Sequence, residues 1–142
     1  MIVTRSIAAA VAGAALAALA GCGKEPAGRV PVYPVTGSVL AKGKGVPHAR
    51  VTFVALARQD GPALDTDFLT DPSGNFAATT YKPGDGLPPG RYAVFVQWPE
   101  TVTDDPALGG DRLHGRYSDR KKPVFTVEVK AEPNSLPPFD VK

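Results

Sequence analysis

The residues of this chain best suited to catalysis are two histidines and a polar stretch at 111–119. Only His48 and His114 are present, and neither belongs to a His-Glu-x-x-His motif or a comparable ligand pair, which argues against a zinc peptidase. Asp111, His114 and Ser118 share one polar stretch, with Asp119 next to it, but the chain has no Gly-x-Ser-x-Gly motif. We therefore predict no catalytic residues, no enzymatic activity and no cofactor.

Oxygen-bearing side chains alternate in one predicted turn. Asp71, Ser73 and Asn75 have the spacing of calcium ligands in a loop, with Asp65 and Asp67 upstream. The later glutamate of an EF-hand is missing, and an Asx turn made by Asp71 explains the same residues. They are weak metal candidates, and the sequence predicts no metal site.

Residues 99–123 form an unusually long stretch without strand signals. Loops of more than about 15 residues are uncommon in compact domains and are often functional. The possible binding residues in and beside this loop are Trp98, Asp111, His114, Arg116 and Tyr117. A tryptophan there could contact a carbohydrate or a protein partner, or it could close the core at a strand end. Both interpretations of the loop, binding surface and partly ordered excursion, stay open.

Short β-type segments must position these residues. Runs rich in Val, Phe, Tyr and Thr alternate with Gly, Pro, Asp and Asn at intervals of about ten residues, which indicates an all-β sandwich or barrel. In residues 125–130 apolar and polar side chains alternate, so one face is buried. Residues 92–96 are apolar throughout, which predicts a central strand covered on both faces. The predicted strands are 35–41, 49–57, 63–70, 75–80, 90–98, 124–130 and 136–141.

The first 34 residues differ in composition from the rest of the chain. Arg5 precedes an Ala-rich apolar run that ends in small residues, which is typical of a secretory signal and too short and weakly apolar for a membrane span. We predict a signal peptide over residues 1–21, a Pro- and Gly-rich flexible tether over 22–34, and one domain over 35–142.

Composition further limits the classes of protein and of fold to which the chain can belong. The formal net charge is +2, with no basic stripe of the kind that binds nucleic acid. The chain has 15 glycines and 15 prolines, which favours many turns over helices. Cys22 is the single cysteine, so no disulfide can form within the chain.

Residues 19–22, LAGC, resemble the lipobox of bacterial lipoproteins. The resemblance implies that Cys22 is acylated and becomes the first residue of the mature protein, anchored in a lipid bilayer of the cell envelope. Several acyl chains give stable anchoring where one does not. Gly23 follows instead of aspartate, which by resemblance to Gram-negative sorting favours the outer over the inner membrane. The domain would face the periplasm or the exterior.

The domain resembles the carboxypeptidase regulatory-like family. The matching segments are 35–39 (VTGSV), 45–53 (GVPHARVTF), 70–76 (TDPSGNF) and 87–92 (LPPGRY). The resemblance covers residues 35–98 and implies a seven-stranded, transthyretin-like (prealbumin-like), Greek-key sandwich. Residues 115–118 and 134–140 resemble small lipoproteins of planctomycete-type bacteria, which are mostly uncharacterised.

These resemblances imply a location and a fold more than an activity. Our leading hypothesis is a membrane-anchored, non-enzymatic structural or interaction module with an envelope protein as partner. One alternative is a small-ligand or carbohydrate binder that uses Trp98 and residues 99–123. Another is an enzyme of the hydroxyisourate hydrolase type, but residues 139–142 read FDVK where that family has Tyr-Arg-Gly-Ser. The sequence leaves the oligomeric state open.

Overall fold

Residues 28–56, 65–105 and 107–142 are described by the structure, a computed structural model. The regular elements in these ranges are all strands, which confirms the predicted all-β class. In chain order they are β1 (Val35–Ala41), β2 (Lys44–Gly45), β3 (Arg50–Ala55), β4 (Thr66–Leu69), β5 (Asn75–Ala77), β6 (Gly90–Gln97), β7 (Phe125–Val129), β8 (Asn134–Ser135) and β9 (Phe139–Val141). The predicted signal peptide and Cys22 lie outside the described residues.

The strands form two sheets with a sandwich-like arrangement. In the five-stranded sheet, β1 pairs antiparallel with β2 and β5, and parallel with β8 and β9. The four-stranded sheet has the order β4-β3-β6-β7 and is antiparallel throughout. The predicted sandwich is therefore confirmed at the level of two packed sheets.

The described residues contain nine strands where seven were predicted, because two short strands gave no sequence signal. β2 follows a two-residue hairpin loop in which Lys42 and Gly43 have φ of 51° and 75°, as a type I′ turn requires. β8 pairs with the start of β1. The single strand predicted for 136–141 starts only at Phe139, because Pro137 and Pro138 have no N–H to donate.

Phe53 of β3 is the centre of the core. Its ring is fully buried and lies 5.7 to 6.5 Å, centroid to centroid, from four other aromatic rings. Phe68 and Tyr92 belong to its own sheet, and Phe76 and Phe139 belong to the opposite sheet. The core therefore joins the two sheets through aromatic contacts.

β6 is the central strand that the sequence predicted. It pairs with β3 on one side and with β7 on the other, and all five side chains from Tyr92 to Val96 are buried. Tyr92, Val94 and Val96 pack into the core between the sheets. Phe95 points to the outer face, where the Arg120 guanidinium lies 6.0 Å from its ring centroid. Part of the long segment after β6 therefore covers the outer face of this strand.

The chain joins the sandwich beside the start of β6. Tyr33 and Leu87 exchange two backbone hydrogen bonds of 2.9 and 3.0 Å. The Arg29 guanidinium lies 4.7 Å from the centroid of the Tyr81 ring, and the Val30 amide donates to the Tyr81 hydroxyl. We call this side of the molecule, defined by Tyr33 and Leu87, the proximal end. Residues 29–33 of the predicted tether thus contact the domain.

The long segment after β6 leaves from the opposite side. β6 starts near Leu87, and its last residue, Gln97, lies roughly 23 Å from its first, Gly90. Gln97 and Leu69 are both paired with Arg50, so β4 ends at the same level. We call this side, defined by Leu69 and Gln97, the distal end. Segment 98–123 therefore begins at the distal end.

The turn between β4 and β5 predicts that alanine at Gly74 lowers the free energy of unfolding much more than alanine at Gly43. Gly74 has φ of +83°, and a Cβ there would lie 2.6 Å from the Val46 nitrogen and 2.7 Å from the Val39 oxygen. Gly74→Ala should lower the free energy of unfolding by about 3 kcal/mol, from backbone strain and overlap together.

Gly43→Ala is the matched control, because its φ is +75° but nothing lies within 4 Å of the added Cβ. It should cost only about 1 kcal/mol. Urea denaturation of both variants gives the comparison, and equal losses would contradict the close packing at Gly74.

Candidate functional site

The predicted binding residues meet at the distal end, where Asp111 organises the chain. Its Oδ1 accepts hydrogen bonds from the amides of Trp98 (3.0 Å) and Leu113 (2.9 Å), and its Oδ2 accepts one from the amide of Gly115 (3.0 Å). The carboxylate thereby ties the end of β6 to the turn at 111–115. Three backbone amides thus occupy the Asp111 carboxylate, which gives it a structural role in this turn.

Trp98 packs at the distal edge of the core. Its side chain is half-buried against the core cluster, and the Arg112 guanidinium lies 5.5 Å from its ring centroid. The Arg112 amide also donates to the Trp98 carbonyl at 2.8 Å. Trp98 therefore closes this end of the core, and Arg112 lies over its ring.

Tyr117 anchors the second half of the segment. It is buried, its ring stacks on Phe125 at 5.7 Å, and its carbonyl accepts a hydrogen bond from the Val96 amide at 3.0 Å. Its hydroxyl accepts from the Lys142 amide at 3.0 Å, and Arg116 Nη1 donates to the Lys142 carbonyl at 3.1 Å. Arg116 and Tyr117 thus hold the residue that follows β9.

The two histidines remain at the surface. His48 and His114 are exposed and have φ of 54° and 52°, which places both in tight turns. Within the described part of the chain, neither imidazole takes part in a side-chain hydrogen bond, so His114 is not joined to Ser118 or Asp119. The structure brings Trp98, Asp111 and Tyr117 together as a clasp, with His114 on its outside.

The turn at 71–75 has the geometry of the Asx alternative. Asp71 Oδ1 accepts hydrogen bonds from the amides of Ser73 (2.8 Å) and Asn75 (2.9 Å), and the Asp71 amide donates to the Asn75 carbonyl. The carboxylate thus serves its own turn. Across residues 28–56, 65–105 and 107–142, no three His, Cys, Asp or Glu side chains are grouped so that they could hold a metal ion.

A third aspartate, Asp85, also binds backbone amides, and the sequence did not predict this role. Its carboxylate accepts hydrogen bonds from the amides of Thr80, Tyr81 and Lys82 at 2.8 to 2.9 Å. Burial alone raises the pKa of this carboxyl, but those amide hydrogen bonds outweigh it and hold the pKa below the usual 3.8. The dense Pro and Gly signals at 83–86 indicate a turn, but not which backbone groups the carboxylate meets.

Tyr92 of β6 connects this strand to the loop that contains Asp85. The Tyr92 hydroxyl donates to the Pro88 carbonyl at 2.8 Å, and burial raises the pKa of Tyr92 to about 12. The phenol is therefore neutral at physiological pH and acts as a donor.

One depression on the outer face of the four-stranded sheet is lined by polar side chains. It is lined by Thr52, Phe95, Gln97, Ser118 and Arg120, and its volume is about 130 Å³. Pockets for small molecules commonly have about 300–1,000 Å³. Arg120 is also paired with Asp65 at 3.1 Å. The depression is small, and an ion pair occupies its rim.

No model of a known protein family matches the chain, and no curated protein matches it either. The resemblance to the carboxypeptidase regulatory-like domain therefore stays a prediction. The described ranges contain no helix with the length and apolarity needed to cross a bilayer.

The clasp predicts that Asp111 controls the order of the distal segment. Asp111→Ala removes the acceptor of three amides and should destabilise the protein by about 2 kcal/mol. It should also speed cleavage within residues 99–122 during limited proteolysis. Asp111→Asn keeps an oxygen for two of these amides and should lie between the alanine variant and wild type.

Asp119→Ala is the control for Asp111→Ala, because Asp119 accepts one amide, from Lys121. It should change the proteolysis rate little. Equal sensitivity in the Asp111 and Asp119 alanine variants would contradict the role of the clasp.

Asp85 predicts a pH-dependent contribution to stability. Its pKa is depressed in the folded state relative to about 3.9 in the unfolded chain, so its stabilisation is present above pH 4. That stabilisation is lost as the pH falls through the folded-state pKa. Asp85→Asn should therefore be less stable than wild type at pH 7, and the difference should shrink towards pH 2.

Urea denaturation of wild type and Asp85→Asn at several pH values measures this difference. Asp104→Asn, at an exposed position of the distal segment, is the control and should change the free energy of unfolding little at neutral pH. A constant difference between wild type and Asp85→Asn across the pH range would argue against the amide contacts.

Proposed function

We propose that this protein is a lipid-anchored, non-enzymatic interaction module of the cell envelope. Cys22 is its membrane anchor, the outer membrane is the favoured location, and the distal end faces a protein partner. The observation that supports this proposal most directly is polarity: the chain joins the sandwich at Tyr33 and Leu87, whereas segment 98–123 begins at the opposite end, after Gln97.

A lipid anchor at Cys22 would determine which end of the sandwich lies nearer the membrane. The residues nearest the bilayer are those that follow Cys22, and the chain is fixed to the sandwich from Arg29 onward. The proximal end is therefore the side nearer the membrane, and β6 separates it from the distal end by roughly 23 Å. Groups of a neighbouring protein would meet the distal end first.

The order of the distal segment supports a binding role. Leu113 and Tyr117 are buried, and Asp111 fixes the chain by three hydrogen bonds. A surface that is ordered before binding loses less conformational entropy on association than a free loop does. The segment is thus better suited to present a fixed surface than to act as a spacer.

The carbohydrate alternative receives less support from the geometry. A tryptophan that stacks on a sugar needs an open ring face, whereas Trp98 is half-buried and has Arg112 over its ring. The accessory role implied by the carboxypeptidase regulatory-like resemblance agrees better with a protein partner.

Anchoring is tested by phase partitioning of the protein made in its own cells. Wild type should enter the detergent phase of Triton X-114, whereas Cys22→Ser, which has no thiol to acylate, should stay in the aqueous phase. Gly23→Asp should keep the anchor and shift the protein towards the inner membrane. Detergent partitioning of Cys22→Ser would contradict the proposed anchor.

The interaction role needs a separate measurement on the anchored protein. A photo-crosslinking residue at His114, on the distal side, should form discrete adducts with an envelope protein. The same residue at Lys82, exposed near the proximal end, is the control and should form fewer of them. Equal adducts from both positions would argue against a distal binding surface.

A further inference from the structure

We infer that the first part of segment 98–123, together with Leu69, binds a basic, apolar segment of a protein partner. This inference rests on the proposed interaction role and adds to it the surface and the chemistry of the partner. The acidic–apolar surface, as we call it, consists of Leu69, Glu100, Val102, Asp104 and Leu108.

Large apolar side chains are concentrated in this surface. Leu108 is 76% exposed, Val102 54% and Leu69 41%, and Leu69 and Val102 line one shallow depression together with Pro99. Single exposed apolar residues are ordinary, but neighbouring ones mark interaction sites. Leu69 comes from the end of β4 and the others from the loop, so two elements contribute to one surface.

Hydrogen bonds connect the two sides of the loop that carries these side chains. The amides of Glu100 and Thr101 both donate to the Gly109 carbonyl, at 3.0 and 3.1 Å. At the tip, the Thr103 hydroxyl donates to the Asp105 carbonyl at 2.6 Å, and the Leu108 amide donates to the same carbonyl at 3.1 Å. Exposure of Val102 and Leu108 is therefore a property of an internally bonded loop.

Negative charge surrounds the apolar side chains. Glu100, Asp104 and Asp105 are all exposed, and none of them belongs to either salt bridge formed within the described ranges. Two cations border this surface, and both already have partners. Arg50 pairs with Asp67 at 2.6 Å, and Arg112 lies over Trp98 and donates to the Glu100 carbonyl at 3.5 Å.

Charge complementarity selects the partner. A segment with lysine or arginine on both sides of a leucine or valine would meet carboxylates and apolar carbons together, whereas an acidic segment or an anionic polymer would be repelled. A second copy of the chain fits less well, because its basic cluster at 120–122 is folded into a turn: Arg120 pairs with Asp65, and the amides of Lys121 and Lys122 both donate to Asp119. The partner we infer is therefore a different protein with a basic, apolar segment.

The probe for this surface is a short synthetic peptide in which lysine alternates with leucine and valine. Its counterpart with glutamate in place of lysine is the charge control. Nitrogen-15 NMR of the acylated protein in neutral detergent micelles should show shifts confined to the amides of Leu69 and residues 98–110 with the lysine peptide. The glutamate peptide should cause none.

Variants separate charge from apolar contact. Glu100→Gln with Asp104→Asn should weaken binding of the lysine peptide about fivefold, and Leu108→Ser should weaken it by a similar factor. Glu128→Gln with Glu132→Gln removes two exposed carboxylates outside the surface and is the matched control, expected to bind as wild type does. Added salt should weaken binding to wild type more than binding to the double distal variant.

The inference would be overturned by equal binding of both peptides, by shifts outside the surface, or by an unchanged affinity in the distal variants. Concentration-dependent shifts at the same amides without peptide would assign the surface to a second copy and would also overturn it. Each of these outcomes leaves the proposed anchoring and envelope role intact, because partitioning and crosslinking in cells test those separately.

Discussion

The contact of Phe53 with the four aromatic rings around it is the interaction on which the rest of the structure depends. Cys22 is the only cysteine, so no covalent bridge can join the two sheets. The buried ring of Phe53 touches Phe76 and Phe139 across the sandwich, and these two stack on each other at 5.9 Å. Cohesion between the sheets therefore comes from apolar burial and ring geometry, which fixes how β5 and β9 lie over β3.

Around this core, one piece of chemistry recurs in the turns. Asp71, Asp85 and Asp111 each use a carboxylate to accept two or three backbone amides. Such bonds satisfy donors that a turn leaves without a strand partner, and they are stronger because the acceptor is charged. Asp71 and Asp111 therefore have a structural role, although their spacing in the sequence also suits metal binding or catalysis. The carboxylates of Glu100 and Asp104 are different, since they face solvent.

The sequence predicted most strand positions, but it did not predict the contacts that form the candidate site. The position of β7 follows from side-chain alternation, that of β6 from a continuous apolar run, and that of β1 from its type of residues and the turn after it, because all of these are local properties of the chain. β2 depended on a left-handed Lys42, and the clasp depends on a contact between Asp111 and Trp98, which are distant in sequence. Tyr117 stacks on Phe125 only once β7 has been placed. Such contacts follow from the fold, so no pattern of residue types shows them beforehand.

The bridge between Tyr33 and Leu87 also sets a length scale. With the proposed anchor at Cys22, seven peptide steps lead to Arg29, which contacts the domain, and an extended chain of that length reaches roughly 25 Å at most. The sandwich would then explore only a thin layer above the bilayer instead of the whole compartment. Confinement of this kind raises the effective concentration of the domain towards anything held in the same layer. A modest intrinsic affinity at the distal end would suffice for stable association with another anchored protein.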